Sequence, residues 1–399
     1  MPCPCYVWLC SRSQALVTAA PGWDNGWTAL EDPLTQIGEI SACIRTAARD
    51  AGFDLSGIAP VRDFAELRHF PAWIASGHAG EMTYLEARDQ NGALKRASLT
   101  AAVPWARSVV VCAINYNTAP PYSTEFHASD RGWISRYAWT RQDYHDAVLQ
   151  RLRIVEDRMR VALPQPFQTR CYVDTGPLVE RVYAKHAGVG WIGKNTCILN
   201  QQQGSWLFLG VILCSVELEP DLPAPDRCGS CTRCIDACPT DALIAPYQLD
   251  SRKCISYLTI EKRGAIPEAM RQGMGRHVFG CDICQDVCPW NRKAPTTSAD
   301  EFQPRPDLVN PALDWLANMS VEEFRQRFRG SPLRRAKRSG LRRNAIIAMG
   351  NSGLQDFLPL LEKLSTDDDP VVAESARWAA QKLANSPVDR PRPSSGGEK

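Results

Sequence analysis

No stretch of this 399-residue chain stays apolar for the roughly 18 residues that a membrane-spanning helix needs. The longest such run, Trp206–Cys214, has nine residues and reads as a buried strand. Net charge is nearly absent too. The 46 basic and 44 acidic residues leave +2, which excludes a uniformly basic nucleic-acid coat but not a local basic patch. The first 30 residues have no basic segment ahead of a long apolar core and no twin-arginine pair, and they place bulky Leu9 before Cys10. Neither a secretory signal nor a lipoprotein site is read there. The expectation is an irregular extension over 1–32 and a cytoplasmic protein without membrane association. Global disorder is excluded by 44% apolar and 23% charged residues.

Three familiar chemistries lack their second half. Gly188-Val-Gly190-Trp-Ile-Gly193 has dinucleotide-loop spacing, but a helix-like stretch precedes it and a strand follows, the reverse of what that loop requires. Asp174-Thr-Gly176 has aspartic-protease form, yet no second copy supplies the paired carboxylate. Asp143-Tyr144-His145 begins a corrinoid-type D-x-H-x-x-G motif, but Val148 stands where the glycine belongs, so no histidine is offered to cobalt. Asp143 reads instead as a helix N-cap. Asp174, after a short strand and beside a Gly-Pro turn, is placed either to face a pocket or to close a local Asx-turn.

What is abundant is cysteine. Of sixteen, eight lie between Cys228 and Cys288. A secreted disulfide scaffold would be short and cysteine-dense throughout, so a block inside a long chain points to metal in a reducing compartment. Cys228-x2-Cys231-x2-Cys234-x3-Cys238-Pro239 is the bacterial ferredoxin run. Cys254, then 26 residues, then Cys281-x2-Cys284-x3-Cys288-Pro289 forms the second half. Thiols two residues apart reach one cubane from a single turn, whereas the thiol before proline reaches the other cluster. This rule assigns Cys228, Cys231, Cys234 and Cys288 to one [4Fe–4S] cluster, and Cys238, Cys254, Cys281 and Cys284 to the second. Zinc ribbons also use Cys-x2-Cys pairs, but they do not explain two four-thiol sets each closed by proline.

Around this block the pattern changes twice. Residues 33–220 mix helical and strand periodicities: helices from Pro33 to about Arg49 and over Tyr144–Val161, strands at Ser108–Asn115, Cys171–Asp174, Thr196–Leu199 and Trp206–Cys214. An α/β domain is expected there. Acidic, proline-rich Glu219–Pro225 reads as a linker, 221–295 as the cluster domain, and the prolines at 295, 304, 306 and 311 as a second boundary. Residues 296–386 then read as helices with the flavour of HEAT repeats at Leu341–Met349, Leu354–Leu364 and Pro370–Leu383, and 387–399 as a disordered tail. One and a half repeats cannot bury a core alone, so this region is expected to pack on the rest. Phe324–Arg343 carries nine Arg and Lys and no acid. Such a one-signed run beside a redox module favours a polyanion partner over a solvated face.

Taken together, Tyr172-Val-Asp174-Thr-Gly-Pro, Gly190-Trp-Ile-Gly-Lys-Asn195, Cys254-Ile-Ser-Tyr-Leu-Thr-Ile-Glu261, Gly280-Cys-Asp-Ile-Cys284, Cys288-Pro-Trp-Asn291, Arg136-Tyr137 and Asp143-Tyr144-His145 resemble the epoxyqueuosine reductases over about residues 33–385. The resemblance implies an α+β multidomain fold: an α/β cobalamin-binding domain, a ferredoxin-like two-cluster domain and C-terminal HEAT-like helices. It implies a monomeric oxidoreductase that uses cobalamin and two [4Fe–4S] clusters. The substrate would be epoxyqueuosine at the wobble position of a tRNA anticodon stem-loop, reduced to queuosine with electrons from an external donor. It places Asp174 as proton donor. It suggests cobalamin, bound base-off by loops, near Arg96, Tyr137, Asp174, Ile198, Asn200, Ser256 and Asp282. The basic run, represented by Arg334, Arg335, Lys337 and Arg338, would then hold RNA phosphates. Two alternatives are a corrinoid reductive dehalogenase, which usually carries a twin-arginine signal, and a non-enzymatic iron–sulfur RNA-binding protein.

The chemistry is coherent. Turning an epoxide into an alkene takes two electrons and two protons and expels water. No side chain supplies such electrons, so a cofactor must. The departing oxygen needs a proton, and an acid in a desolvated pocket holds one near neutral pH.

Overall fold

The computed structural model describes residues 33–119, 121–163 and 165–385; the expected N-terminal extension and C-terminal tail lie outside these bounds. No helix among the described residues is long and apolar enough to cross a membrane.

A four-stranded sheet organises the first half, in the order Leu55–Pro60, Ser108–Asn115, Leu207–Cys214, Thr169–Tyr172. Every pairing is antiparallel, with Ser108 opposite both Pro60 and Cys214. The α/β expectation is therefore met as helices layered on a sheet, but not with the parallel strands that βαβ alternation implies. The reason is visible in the order: the strand Leu207–Cys214, distant in sequence, inserts between Ser108–Asn115 and Thr169–Tyr172.

Ser108–Asn115 is buried along its whole length, as its unbroken apolar run requires of a strand covered on both faces. Val110, Cys112 and Ile114 face one core, together with Ile44 and Ala48 of helix Pro33–Asp50 and Val148, Leu152 and Val155 of helix Tyr144–Ala162. Val109, Val111 and Ala113 face the other, against Tyr183 and Ala184 of helix Glu180–His186. Gly210 lets the long helix approach the sheet: a Cβ there would lie 2.8 Å from Val148 and 2.9 Å from Leu152.

The segments expected as linkers are strapped down. Asp221 accepts a hydrogen bond from the Ile58 amide at 2.8 Å and pairs with Arg45 at 3.0 Å. Beyond the cysteines, the Thr297 amide donates to Asn117 O at 2.7 Å, the Arg305 amide donates to Trp139 O at 2.8 Å, and Phe302 is buried against Phe208.

The cysteine block forms two short turns, each followed by one helical turn, Arg233–Asp236 and Ile283–Asp286. C-terminal helices Leu313–Asn318, Val321–Arg327, Lys337–Ser352, Leu358–Leu364 and Pro370–Ala384 then close a second large core with Trp133, Trp139, Val278 and Phe279. Ser320 and Glu323 form a reciprocal capping box at Val321–Arg327. The helix Lys337–Ser352 is buried from Leu341 to Gly350 and carries polar groups into the cluster block. Asn344 Nδ2 donates to Thr259 O and Val278 O, both at 2.8 Å. Arg343 donates to the carbonyls of Leu258, Lys262 and Gly264 at 2.7–2.9 Å.

Candidate active site

Two cavities divide the eight block cysteines. A small one, about 30 Å³, is lined by Cys228, Cys231, Cys234 and Cys288, with Trp290, Lys194 and Asn195. A larger one, about 320 Å³, is lined by Cys238, Cys254, Cys281 and Cys284. Each set joins the three thiols of one half to the pre-proline thiol of the other, so the halves interlock. Lys194 Nζ spans the outer turn, donating to Gly229 O and Cys231 O. Cys197 also lines the larger cavity, beside Cys284. No spacing in the sequence singles it out, because its neighbours here are remote in the chain.

The larger thiol cavity does not end at the cysteines. Tyr116, Tyr137, Arg181, Thr196, Leu207 and Leu209 line it and also an open cavity of about 630 Å³ alongside. That second space holds Asp174, Glu180, Arg96, Tyr84 and Tyr144. Asp174 and Thr196 both sit in left-handed backbone conformations, φ 60° and 66°, on its wall. Such conformations are uncommon outside glycine and often accompany functional constraint.

Asp174 itself is exposed. Its carboxylate accepts a hydrogen bond from the Tyr144 hydroxyl at 3.1 Å, and its amide donates to Glu180 Oε1 at 2.8 Å. Tyr144, stacked on Phe208 at 4.4 Å, stays protonated, because burial and the Asp174 charge push its hydroxyl well above the usual range. The local Asx-turn reading of Asp174 is thus not what the hydrogen bonds show. Nor is Asp174 the desolvated carboxyl expected from sequence. That role falls to Glu180, whose burial, with the Asp174 charge, pushes its acid up to about 8 despite Arg96 and Arg181 nearby. Sequence reasoning missed Glu180, which lies in an unremarkable Val-Glu-Arg stretch.

The other expected cofactor contacts divide. Arg96 and Tyr137 line the open cavity, and Tyr137, Ile198 and Ser256 line the thiol cavity. Asn200 does not line either: its amide donates to Val189 O at 2.8 Å and its oxygen accepts from the Gln202 and Gln203 amides. Asp282 is likewise turned inward. Its buried carboxylate accepts from Ser135 Oγ, from Trp133 Nε1 at 3.1 Å and from the Arg136 amide at 2.8 Å. At both positions the side-chain bonding capacity is spent within the protein, so a contact of these segments with a cofactor would run through the main chain.

The basic run also divides. Arg334, Arg335 and Lys337 are exposed. Arg335 pairs with Glu261 at 2.9 Å and lies over the Tyr84 ring at 5.1 Å, so it borders the open cavity. Arg338 is half-buried, its Nε donating to Met319 O at 2.7 Å. Arg342 pairs with Asp367 at 2.6 Å and is buried, as is Arg343. The one-signed charge of the run is therefore partly structural.

Two sets of four thiols, the larger cavity sharing a wall with an open one, are the make-up of an iron–sulfur redox protein. The family model described as "4Fe-4S double cluster binding domain" matches residues 227–291, and that described as "Epoxyqueuosine reductase QueG, DUF1730" matches 96–175. The epoxyqueuosine reductase of Xanthomonas campestris is 41% identical over 86% of this chain and 95% of its own, and that of Pseudomonas aeruginosa 39% identical over 86% and 94%. The chain belongs to the epoxyqueuosine reductase family. Among solved structures, an epoxyqueuosine reductase with an epoxyqueuosine-modified tRNA-Tyr stem loop superposes with a TM-score of 0.76 at 32% identity, covering 86% of this chain and 90% of that one. The Bacillus subtilis enzyme, with an aspartate-bearing catalytic loop swung out of its active site, gives 0.76 at 31% identity over 86% and 90%.

Proposed function

We propose that this chain reduces epoxyqueuosine in tRNA to queuosine, with two [4Fe–4S] clusters and a cobalamin as the groups that would supply the electrons. The observation that carries this reading is the shared wall: Tyr116, Tyr137, Arg181, Thr196, Leu207 and Leu209 line both the cavity of Cys238, Cys254, Cys281 and Cys284 and the one that holds Asp174. Cys228, Cys231, Cys234 and Cys288 hold the outer cluster in this reading, and the other four the inner one. Family membership supports the substrate, a tRNA anticodon stem-loop carrying epoxyqueuosine. In domain terms, residues 33–220 carry the cofactor and substrate pocket, 221–295 the clusters, and 296–386 a HEAT-like helical region against which RNA lies. The setting is the cytoplasm.

The open cavity and the thiol cavity beside it fit a corrin next to a cluster. The open one, about 630 Å³, has the size of a large-ligand pocket, ~300–1,000 Å³, and walls of aromatic and aliphatic side chains with a few polar groups. No histidine lines them, so the group would be held by its surroundings, Tyr137, Ile198, Ser256 and Arg96 among them, rather than by an imidazole on cobalt. Bound there, it supplies a metal centre reducing enough to act on carbon. The chain's own part is proton management. Asp174 delivers a proton to the departing epoxide oxygen, and the Tyr144 hydroxyl orients the Asp174 carboxyl. Over the cycle two electrons and two protons enter, both C–O bonds break, the C=C bond forms and water leaves. Exposed Arg334, Arg335 and Lys337 hold phosphates flanking the splayed base.

The test is mass analysis of wobble nucleosides in cells deleted for this protein. Epoxyqueuosine should accumulate and queuosine disappear; normal queuosine would refute the assignment. Anaerobically purified protein should also contain cobalt, and its absence would leave only an iron–sulfur protein.

A further inference from the structure

The reduction consumes two protons, yet the cavity wall presents its carboxyls as a linked pair, Asp174 and Glu180. The link is unusual in running through the backbone. Asp174 holds a left-handed φ of 60°, a conformation that costs an aspartate some stability, and its amide donates to Glu180 Oε1 at 2.8 Å. Val173, just before it, is buried, whereas Asp174 and Thr175 are exposed. Apart from the Tyr144 hydroxyl on its carboxylate, the Asp174 amide bond is the contact that fixes where this residue stands.

Resting on the reading above, we propose that Glu180 is a positioning residue for Asp174: its carboxyl clips the Asp174 backbone into the cavity, and it does so compatibly with the Asp174 carboxylate, left after each proton transfer, only while itself uncharged. An ionised Glu180 would accept the amide proton more strongly, but it would also be desolvated beside a second negative charge. The second effect prevails, since burial and the Asp174 charge raise the Glu180 acid to about 8. The charged groups around Glu180 are Asp174, Arg96 and Arg181, and the two arginines do not cancel the burial. Tyr84 and Tyr144 on the same wall are pushed upward, so neither ionises in this range. No proton leaves Glu180 for the substrate. Both protons pass through Asp174, which is recharged from water, while the clusters' external one-electron carrier supplies both electrons.

The experiment is a pH series of kcat and KM on the holoenzyme with an epoxyqueuosine stem-loop, for wild type, Glu180→Gln and Glu180→Ala. Deuterium exchange of the peptide containing Asp174 is measured alongside and normalised for intrinsic rate. In wild type, kcat should carry a component that falls about tenfold from pH 7 to pH 9, as an acid near 8 loses its proton, on top of the fall from recharging Asp174, while KM moves little. Glu180→Gln keeps the acceptor oxygen but cannot ionise, so its kcat should fall about tenfold less between pH 7 and pH 9 than that of wild type, the remaining fall being that of recharging Asp174. Glu180→Ala should lower kcat at every pH and deprotect the Asp174 amide. Protection of that amide should decline above pH 8 in wild type and stay constant in Glu180→Gln. An alkaline limb unchanged in Glu180→Gln, or pH-independent protection in wild type, would overturn the clip. Loss of turnover in Glu180→Gln at all pH values with intact amide protection would overturn it differently, by making Glu180 a proton donor. If no form, wild type included, produced queuosine, the proposed function would fail, while the exchange data would still report on the clip.

Discussion

Arg343 offers a direct way to separate structural arginines from RNA-facing ones. It is 1% exposed, and its guanidinium donates to the carbonyls of Leu258, Lys262 and Gly264 and to Asn344 Oδ1. In Arg343→Met the stem still fills the space, but three buried carbonyls lose a charged donor. Hydrogen bonds to charged groups contribute about 1.5–3 kcal/mol each, so the gross loss is on the order of 6 kcal/mol. Part is regained, because burial penalises this charge and pulls its pKa down to about 10. A shift of that size corresponds to about 3 kcal/mol of burial cost that methionine does not bear. The net destabilisation is about 3 kcal/mol. The assay is thermal unfolding of the holoprotein followed by cluster absorbance and by far-ultraviolet dichroism. The transition should fall by roughly 4 °C, with cluster absorbance lost at the same temperature, because Leu258 and Gly264 belong to the segment between Cys254 and Cys281. Affinity for the stem-loop, measured well below that transition, should be unchanged in salt dependence. An unaltered transition with a flattened salt slope would show that Arg343 contacts phosphate and that this accounting is wrong.

Other outcomes follow from the same structure. Anaerobic protein should hold about eight iron, with Cys234→Ser damaging one cluster and Cys284→Ser the other; zinc without iron would exclude the assignment. Asp174→Asn keeps the shape and the Tyr144 contact but delivers no proton, so single-turnover reduction should slow by about 10²–10⁴ while RNA and cofactor remain bound; full-speed turnover would remove Asp174 from the mechanism. Replacing Arg334 and Lys337 should reduce the salt slope of RNA binding by about one unit per lost phosphate contact, whereas Arg338→Ala should mainly lower stability through its lost bond to Met319 O. His277 is half-buried with its Nε2 shielded from solvent, and it is held neutral, its pKa lowered to about 4 by desolvation and the nearby Arg276 charge. Because only the unfolded chain takes up that proton, stability should decline as pH falls from 6.5 through 4, by up to about 3 kcal/mol, and a His277→Gln variant should lack that component.

The cysteines were legible because their spacing is a local, covalent matter: two residues between thiols make one turn whatever surrounds them. The long helices and the buried strands were legible for a related reason, since period and burial are written into one segment. What could not be read was anything settled by pairing between distant segments. The sheet is antiparallel because Leu207–Cys214 inserts beside Ser108–Asn115, a choice made by two segments nearly a hundred residues apart. Asn200 and Asp282 sit in suggestive motifs yet spend their side chains on Val189, Trp133 and Ser135. Arg342 and Arg343 read as part of a charged surface because their partners, Asp367 and the carbonyls before Gly264, lie elsewhere in the chain. Glu180 carries no motif at all; its importance arises only when the fold sets it, half-buried, against the Asp174 backbone.

The proline-bearing strap after the cysteines has a consequence for how the molecule is made. Phe302 covers the apolar face shared by the sheet and the helix Tyr144–Ala162, and the amides of Thr297 and Arg305 tie the strap to Asn117 and Trp139. A ribosome that has released only the first 220 residues has therefore released a sheet whose helix-covered face is still open at Phe208. That face is sealed only when the strap emerges, by which time both cysteine turns have been synthesised. Iron loading and closure of the pocket domain thus fall in the same window of synthesis. A shortage of iron at that moment would leave two exposed surfaces on the nascent chain rather than one.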